Sequence, residues 1–325
     1  MVAIGLSAGA VARIRFAVSS LWEVVTSLRV LRDPAAHPVH LPWVERVTPA
    51  LRAAGLAGER AGLLWQLVPA APAYLPDFLT PQPLGPGADL DAELALLCAT
   101  PSEVVRTHLH RYGLRPPLAC AFADPAAGLA RIAEEVRRYW EIALAPHWPR
   151  IRTLLDAELH RQARRLAEGG AELLLNELHQ QVRWNEPTLS INQRHCTAPD
   201  VADGHGLVLV PSCFAWPSVL SVPTGTSPQL AYPARGAATL WERTPTDGTP
   251  LHAVLGRNRA RLLVEMCAPV STTELAKRTG ISPSAVSQHL AILRAAGLVS
   301  THRHGKAMLN ARTTAADTLL SAAVM

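Results

Sequence analysis

The feature that most constrains the fold of this chain is a run of local structure signals between residues 271 and 312. Ser271 and Glu274 have the spacing of a capping box, in which the hydroxyl accepts from the N–H of Glu274 and the carboxylate reaches back to the N–H of the serine. Gly280 supplies the left-handed turn that ends a helix, and Ser282, followed by a proline, is placed to cap the next one. Two helices joined by so short a turn predict a helix-turn-helix.

The second of these helices has two faces. At about 100° per residue its large apolar residues fall on one stripe, and these are Val286, Leu290 and Leu293. The opposite side carries small and amide side chains, namely Ser284, Gln288 and Ala291. Small residues allow close approach in a DNA major groove, and a glutamine can make two hydrogen bonds to adenine. The predicted DNA contacts on this helix and its cap are Ser282, Ser284, Ser287, Gln288, His289 and Arg294.

Two short β-prone segments follow, Leu298–Arg303 and Lys306–Arg312, separated by two residues that include a glycine. They predict a β-hairpin wing, with Thr313–Ala322 as a closing helix. Side chains at the tip of such a wing reach phosphate or the minor groove. The predicted DNA contacts at this tip are Arg303, His304 and Lys306.

Positive charge is concentrated in the same region. The chain has 31 lysines and arginines against 26 aspartates and glutamates, a formal net charge of +5. From Leu251 to Met325 nine basic residues accompany three acidic ones, so this segment carries +6 and the rest of the chain −1. A local excess of positive charge is the electrostatic footprint of a module that binds a polyanion. Double-stranded DNA is therefore the expected partner.

These residues resemble a known family. The stretch TTELAKRTGISPSAVSQHLAILRAAGLVSTHRHGKAMLNART is similar to the ArsR-type winged helix-turn-helix. The resemblance implies a DNA-binding transcriptional regulator that acts as a homodimer, usually a repressor that an effector releases from DNA. The stretches RFAVSSLWEVVTSLRVLRDP and HLPW are similar to the uncharacterised region that precedes this motif in many actinobacterial regulators. That second resemblance implies a shared architecture and no known ligand.

Metal ligands of the family are missing from this sequence. Its metal sensors carry a Cys-x-Cys pair in the helix before the recognition helix, which here reads ELAKRTG. Other members have Asp-x-His ligands in the closing helix, which here reads TTAADTLLSAA. A second group, His195, Cys196, His205 and Cys213, could converge on a metal, but its spacing matches no established pattern. We therefore predict neither a metal site nor a cofactor, and any effector would be a small molecule.

Helical periodicity dominates the chain before residue 188. The predicted helices are Ser19–Arg32 with one buried face, Leu41–Ala54, Glu59–Val68, Asp89–Ala99, Pro101–Tyr112, Pro125–Ala145 and Pro149–Trp184. Gly169-Gly170 is the expected place for a kink in the last of them. Val11–Ala17 alternates well enough to predict a strand.

After Pro187 the pattern changes to short β-prone segments separated by turn residues. They predict a small antiparallel sheet and comprise Thr188–Gln193, Gly206–Pro211, Val219–Val222, Gln229–Tyr232 and Ala237–Trp241. The turn-rich stretch Thr244–Pro250 indicates a domain boundary, and Pro250–Met266 then predicts one helix. We expect an α+β fold, with a mixed, mostly helical domain at 1–245 and a winged helix-turn-helix at 251–322.

Several function classes are disfavoured by missing motifs. There is no H-E-x-x-H, G-x-S-x-G, G-x-G-x-x-G or complete P-loop, so no common enzyme class is predicted. The five cysteines include no C-x-x-C pair, which favours the reducing cytoplasm over a disulfide framework. No uninterrupted apolar run of about 18 residues occurs, so no membrane span is expected.

Three roles stay open for the first 245 residues. An apolar pocket with convergent polar groups would favour an effector domain, and a nucleophile with a base and an orienting group would favour an enzyme. A completely filled core would favour dimerisation alone.

Overall fold

The structure is a computed structural model and describes residues 2–59, 61–87, 89–113, 116–192, 201, 204–222, 227–241, 250–266, 269–304 and 307–324. The chain divides into two compact units, Met1–Trp241 and Glu242–Met325. The predicted α+β class is confirmed, because helices dominate and are accompanied by small sheets. The roles assigned to the two domains stay predictions.

Helices form most of the N-terminal unit. They are α1 (Ala8–Val11), α2 (Ser20–Arg32), α3 (Leu41–Ala53), α4 (Leu63–Leu67), α5 (Leu90–Cys98), α6 (Ser102–Tyr112), α7 (Pro116–Ala121), α8 (Pro125–Ala143) and α9 (Trp148–Asn176). Short 3-10 helices lie at Pro34–Ala36, Pro38–His40, Asp77–Leu79, Ala145–His147 and Ala237–Trp241. The strands are β1 (Val2–Gly5), β2 (Arg15–Phe16), β3 (Val182–Asn185), β4 (Thr188–Ile191), β5 (Val208–Ser212), β6 (Leu220–Val222) and β7 (Gln229–Pro233).

The predicted kink in the long helix is confirmed. Within α9, Gly169 and Gly170 leave the helical region, with φ of −138° and +65° respectively. The second value is one that residues with a Cβ rarely adopt, so a glycine is required there. The helix ends at Asn176, earlier than predicted, because Val182–Asn185 turns back as β3 and pairs antiparallel with β4.

The predicted small antiparallel sheet is confirmed in part, because the strands form two sheets and one of them is mixed. Antiparallel pairing joins β1, β4 and β3 in that order, whereas a second sheet has the order β2-β5-β7-β6. In the second sheet β2, β5 and β7 run parallel, and β6 is antiparallel to β7. The physical reason is visible in β5, where every residue is buried. Strands covered on both faces are continuously apolar and are typical of parallel sheets.

Three further predicted elements are shorter than, or differ from, their sequence patterns. Within Val11–Ala17 only β2 is a strand, since α1 occupies the chain up to Val11. Ala237–Trp241 forms a 3-10 helix instead of a strand. The helix predicted at Glu59–Val68 is reduced to α4. In each case the tertiary neighbours outweigh a weak local preference.

Helix α2 lies at the centre of the N-terminal core. Every residue from Ser20 to Val30 is buried, so the helix is enclosed on all sides and not on one face as predicted. Its N-terminus is held by Glu93 of α5, whose carboxylate accepts from the N–H groups of Ser20 and Leu21 at 2.9 and 3.1 Å. A carboxylate at this position satisfies otherwise unpaired donors and complements the helix dipole.

A buried carboxyl group links α2 to the sheet. Glu23 is fully buried and accepts from the backbone N–H of Cys213, which follows β5, at 3.0 Å. Burial is the largest effect on this side chain and raises its pKa from 4.5 to about 8. Glu23 is therefore mostly protonated at neutral pH, which avoids an isolated charge in the core.

The C-terminal unit has its own core and a three-stranded sheet. Its elements are α10 (Pro250–Leu255), α11 (Arg257–Glu265), β8 (Val270–Ser271), α12 (Thr272–Thr279), α13 (Pro283–Ala295), β9 (Val299–His304), β10 (Ala307–Arg312) and α14 (Thr314–Val324). The single helix predicted at Pro250–Met266 is wrong, because Gly256, with φ of +80°, separates α10 from α11.

Among the described residues no helix combines the length and apolarity needed to cross a bilayer.

Glu23 is expected to make the stability of the N-terminal unit depend on pH. Because its pKa is raised to about 8, the folded chain keeps a proton that the unfolded chain releases above pH 4.5. The free energy of unfolding should fall as pH rises between these values, by up to about 1.4 kcal/mol per pH unit, and then level off. Urea unfolding followed at a series of pH values measures the slope.

Glu23→Gln should reduce this slope, whereas Glu141→Gln, a change at an exposed position of α8, should leave it unaltered. Part of the slope will remain in Glu23→Gln, because burial also raises the pKa of Glu93. An identical pH profile for Glu23→Gln and the native chain would contradict the assignment.

Candidate nucleic-acid interface

The first helix of the motif, α12, begins at a side-chain cap. Ser271 accepts from the N–H of Glu274 at 3.2 Å, as the capping-box pattern predicts. The second hydrogen bond predicted for the capping box, from the N–H of Ser271 to the Glu274 carboxylate, is not the contact that is found. That carboxylate lies 3.0 Å from the guanidinium of Arg278, one turn later. Thr279 closes the helix by donating its hydroxyl to the carbonyl of Leu275. The start of α12 is therefore fixed by local bonds.

A tight turn joins α12 to α13. Gly280 has φ of +65° and ψ of 18°, the left-handed conformation that the sequence predicts. Ser282 then caps α13, with its hydroxyl accepting from the N–H of Ala285 at 3.4 Å. The same hydroxyl lies 3.2 Å from that of Ser284. With Pro283 in the first helical position, the direction of α13 is set by the chain itself.

The two faces of α13 agree with the predicted stripes. Val286, Leu290 and Leu293 are at most 1% exposed and lie in the core of the C-terminal unit. The exposed side chains on the other side include Ser284, Ser287, Gln288 and Ala291. A helix held on its apolar stripe presents the opposite stripe to a partner. Arg294 is also exposed, and its Nε donates to the Leu290 carbonyl at 3.2 Å.

His289 differs from the other candidate contacts because it is half-buried. Its Nδ1 is buried and finds no hydrogen-bond partner among the described residues. The ring is therefore partly engaged in packing at the edge of α13. A phosphate contact by His289 stays a prediction.

The wing is a regular antiparallel hairpin. In the sheet β10 lies between β8 and β9, and His304 pairs with Ala307 at the end of the hairpin. Lys306 lies outside the described residues, as do the side chains of Arg303 and His304. Their contacts with DNA stay predictions, and the structure establishes only that β9 extends to His304.

One residue that the sequence analysis did not single out joins the wing to α12. Asn310 on β10 is 3% exposed and accepts from the hydroxyl of Thr301 on β9 at 2.8 Å. Its amide nitrogen lies 3.4 Å from the Val270 carbonyl and 3.4 Å from the hydroxyl of Thr272. Asn310 thus connects both wing strands to β8 and to the first residue of α12. A polar amide at an inward position of a strand was the available signal.

Several basic side chains of this unit are exposed, which is the arrangement a polyanion partner requires. Arg278 pairs with Glu274, and Arg312 pairs with Asp317 at 2.9 Å. In the part of the chain that the structure describes, no ion pair is found for the exposed basic residues Arg257, Arg261, Lys277 and Arg294. These four cations are available to neutralise phosphates.

One comparison with known proteins agrees with this geometry. Residues 261–301 match the family model described as bacterial regulatory protein, arsR family. The predicted resemblance is confirmed, and the C-terminal unit contains an ArsR-type helix-turn-helix. The crystal structure of the predicted DNA-binding transcriptional regulator from E. coli is 29% identical, covering 22% of this chain and 80% of that chain, with a TM-score of 0.20. That score is too low for any structural inference. No curated protein matches this chain.

The second group of metal-ligand residue types can be placed only in part. His195 and Cys196 lie outside the described residues. Cys213 is fully buried, whereas His205 lines a cavity with Arg13 and Arg15. Within the described ranges no group of three or more His, Cys, Asp or Glu residues could hold a metal ion. The absence of a metal site stays a prediction.

Gln288→Ala is expected to weaken operator binding and relax its specificity. The amide is exposed on α13, and loss of a bidentate contact to a base should cost about 1–3 kcal/mol. Titration against a set of single-base operator variants measures both effects. Asn258→Ala removes an exposed amide from α11 of the same unit and should change neither. Unaltered affinity and base preference in Gln288→Ala would refute the contact.

Proposed function

We propose that this protein is a cytoplasmic transcriptional regulator that binds specific duplex DNA sequences through its C-terminal unit. The observation that carries the proposal is the exposed face of α13, with Ser284, Ser287 and Gln288 opposite a fully buried stripe in the segment that matches the arsR family. In this arrangement α13 enters the major groove and reads bases. The wing lies along the adjacent phosphates through Arg303, His304 and Lys306.

A homodimer that represses transcription and is released by a small molecule is the regulatory scheme we propose. Support comes from the resemblance of the helix-turn-helix to a family whose members usually act in this way. A dimer of this type reads two half-sites separated by one helical turn of DNA. The operator should accordingly be an inverted repeat.

Genome-wide mapping of DNA bound by the full chain is the experiment that tests the function. Recovered fragments should share an inverted repeat, and a synthetic duplex of that repeat should bind at least about a thousandfold more tightly than a scrambled duplex. Light scattering of the complex should give two 34.9 kDa chains per duplex. Equal affinity for repeat and scrambled duplexes would rule out a sequence-specific regulator.

Lys306→Ala is expected to weaken binding to all duplexes nearly equally. A single phosphate contact contributes through counterion release, so the slope of log K against log salt should decrease in magnitude by about 0.9. Arg131→Ala removes one exposed cation from α8 of the N-terminal unit and serves as the control for net charge. Loss of affinity for the operator alone, with an unchanged salt slope, would mean that Lys306 reads bases.

Thiophilic metals are expected not to release the protein from DNA. Helix α12 contains no thiolate, and Cys213 has no exposed surface. A metal acts as an effector only by binding the free and DNA-bound forms unequally. Operator titrations with zinc, cadmium or arsenite under reducing conditions should match the metal-free curve. Release at micromolar metal that Cys196→Ser abolishes would overturn this expectation.

A further inference from the structure

A cavity of about 490 Å³ in the N-terminal unit is bounded by three elements. These are the 3-10 helix at Asp77–Leu79, strand β7, and the first turn of α6. This volume is within the range of small-molecule binding sites. Its walls are largely apolar, with Phe78, Pro81, Pro101 and Val104 among the lining residues. The cavity uses residues far apart in sequence, so none of them stands out as a motif.

Two polar residues of the lining, Gln229 and Thr80, are held by the core. Gln229 is 1% exposed, and its amide nitrogen donates to the Thr80 carbonyl at 2.9 Å. Its amide oxygen accepts from the indole N–H of Trp22 on α2, also at 2.9 Å. Thr80 is fully buried. A ligand would therefore meet a preformed wall that does not have to be ordered on binding.

An acid and an imidazole face each other in this lining. Asp77 is 5% and His108 is 7% exposed, with His108 Nε2 at 3.8 Å from Asp77 Oδ2. The His108 ring is nearly parallel to that of Phe78, and its Nδ1 is buried without a hydrogen-bond partner among the described residues. Burial, with a smaller contribution from Arg111, lowers the pKa of His108, so its ring is neutral at pH 7.

The charges of the lining select against anions. Asp77 and Glu103 contribute carboxylates, and no lysine or arginine is among the described lining residues. Arg106 pairs with Glu103, and Arg111 stacks on the ring of Tyr74, but neither belongs to the lining. A negatively charged ligand would lose its hydration and meet no cation within the described lining. The carboxylate of Asp77, which already interacts with Tyr74, would accept a further hydrogen bond from a positively charged or neutral donor.

We propose that this cavity is a binding site for a largely apolar small organic molecule that carries an amine and no negative charge. The amine lies at Asp77 and His108, and the apolar body lies against Phe78 and Val104. Probe binding to this cavity is measured without DNA, so its failure would leave the DNA-binding function untouched.

Three matched probes test the proposal on the full chain. Naphthylethylamine, naphthylethanol and naphthylacetate share one apolar body and differ in charge, and their fluorescence reports binding. The amine should bind at least about tenfold more tightly than the acetate, corresponding to about 1.4 kcal/mol. Equal affinities of amine and acetate, or no binding of the amine up to millimolar concentration, would overturn the proposal.

Two variants locate the probe. Val104→Trp places a large ring at a 38% exposed position of the lining and should reduce amine binding at least tenfold. Leu166→Trp makes the same kind of change at a 37% exposed position of α9 and should have no effect. Circular dichroism and thermal unfolding check that both fold. Undiminished amine binding in Val104→Trp would show that the cavity is not the site.

Asp77→Asn tests the contribution of the carboxylate to binding separately from that of the apolar walls. It should weaken binding of the amine and leave that of the alcohol within about twofold of the native value. An equal loss for both probes would mean that Asp77 acts only through the structure of the lining. In that case the proposed recognition of an amine is wrong even if the cavity binds apolar molecules.

Discussion

A helix that is buried on every side must satisfy its polar side chains inside the protein, and this constraint organises the N-terminal unit. Trp22 reaches Gln229 on β7, and Thr26 lies 2.9 Å from the hydroxyl of Ser212 on β5. Ser27 lies 2.8 Å from the hydroxyl of Tyr139 on α8. Each unmade bond would cost about 1–3 kcal/mol. The sheet, helix α8 and the cavity lining therefore supply the hydrogen-bond partners that the buried side chains of α2 require.

Local signals made the C-terminal module largely predictable. The cap at Ser282, the left-handed Gly280 and the stripe on α13 each depend on residues a few positions apart, and short-range geometry decides them. The Glu274 carboxylate escaped prediction because two nearby partners compete for it, and Arg278 is the one it contacts. The role of Asn310 was not predicted, because its three partners lie on two strands and at the first residue of α12.

Long-range contacts made the N-terminal unit less predictable. The serine, threonine and glutamate residues of α2 indicated a face exposed to solvent. In the structure they are buried and bonded to residues distant in sequence. The parallel pairing of β2 with β5 joins residues about 190 positions apart, and no turn signal marks it. The cavity likewise brings Asp77, His108 and Gln229 together only through the fold. Such a pocket favours an effector domain among the three roles considered for this unit.

The amide of Asn310 has a consequence for how the wing would meet DNA. Because it ties β9 and β10 to Val270 and Thr272, the base of the hairpin is ordered before any partner arrives. A loosely hinged hairpin would surrender conformational entropy on contact with phosphate, at a cost of about 0.5–1.5 kcal/mol for each immobilised side chain. Preorganisation at Asn310 removes that loss for the base of the hairpin, and so less of the binding free energy is spent on ordering it.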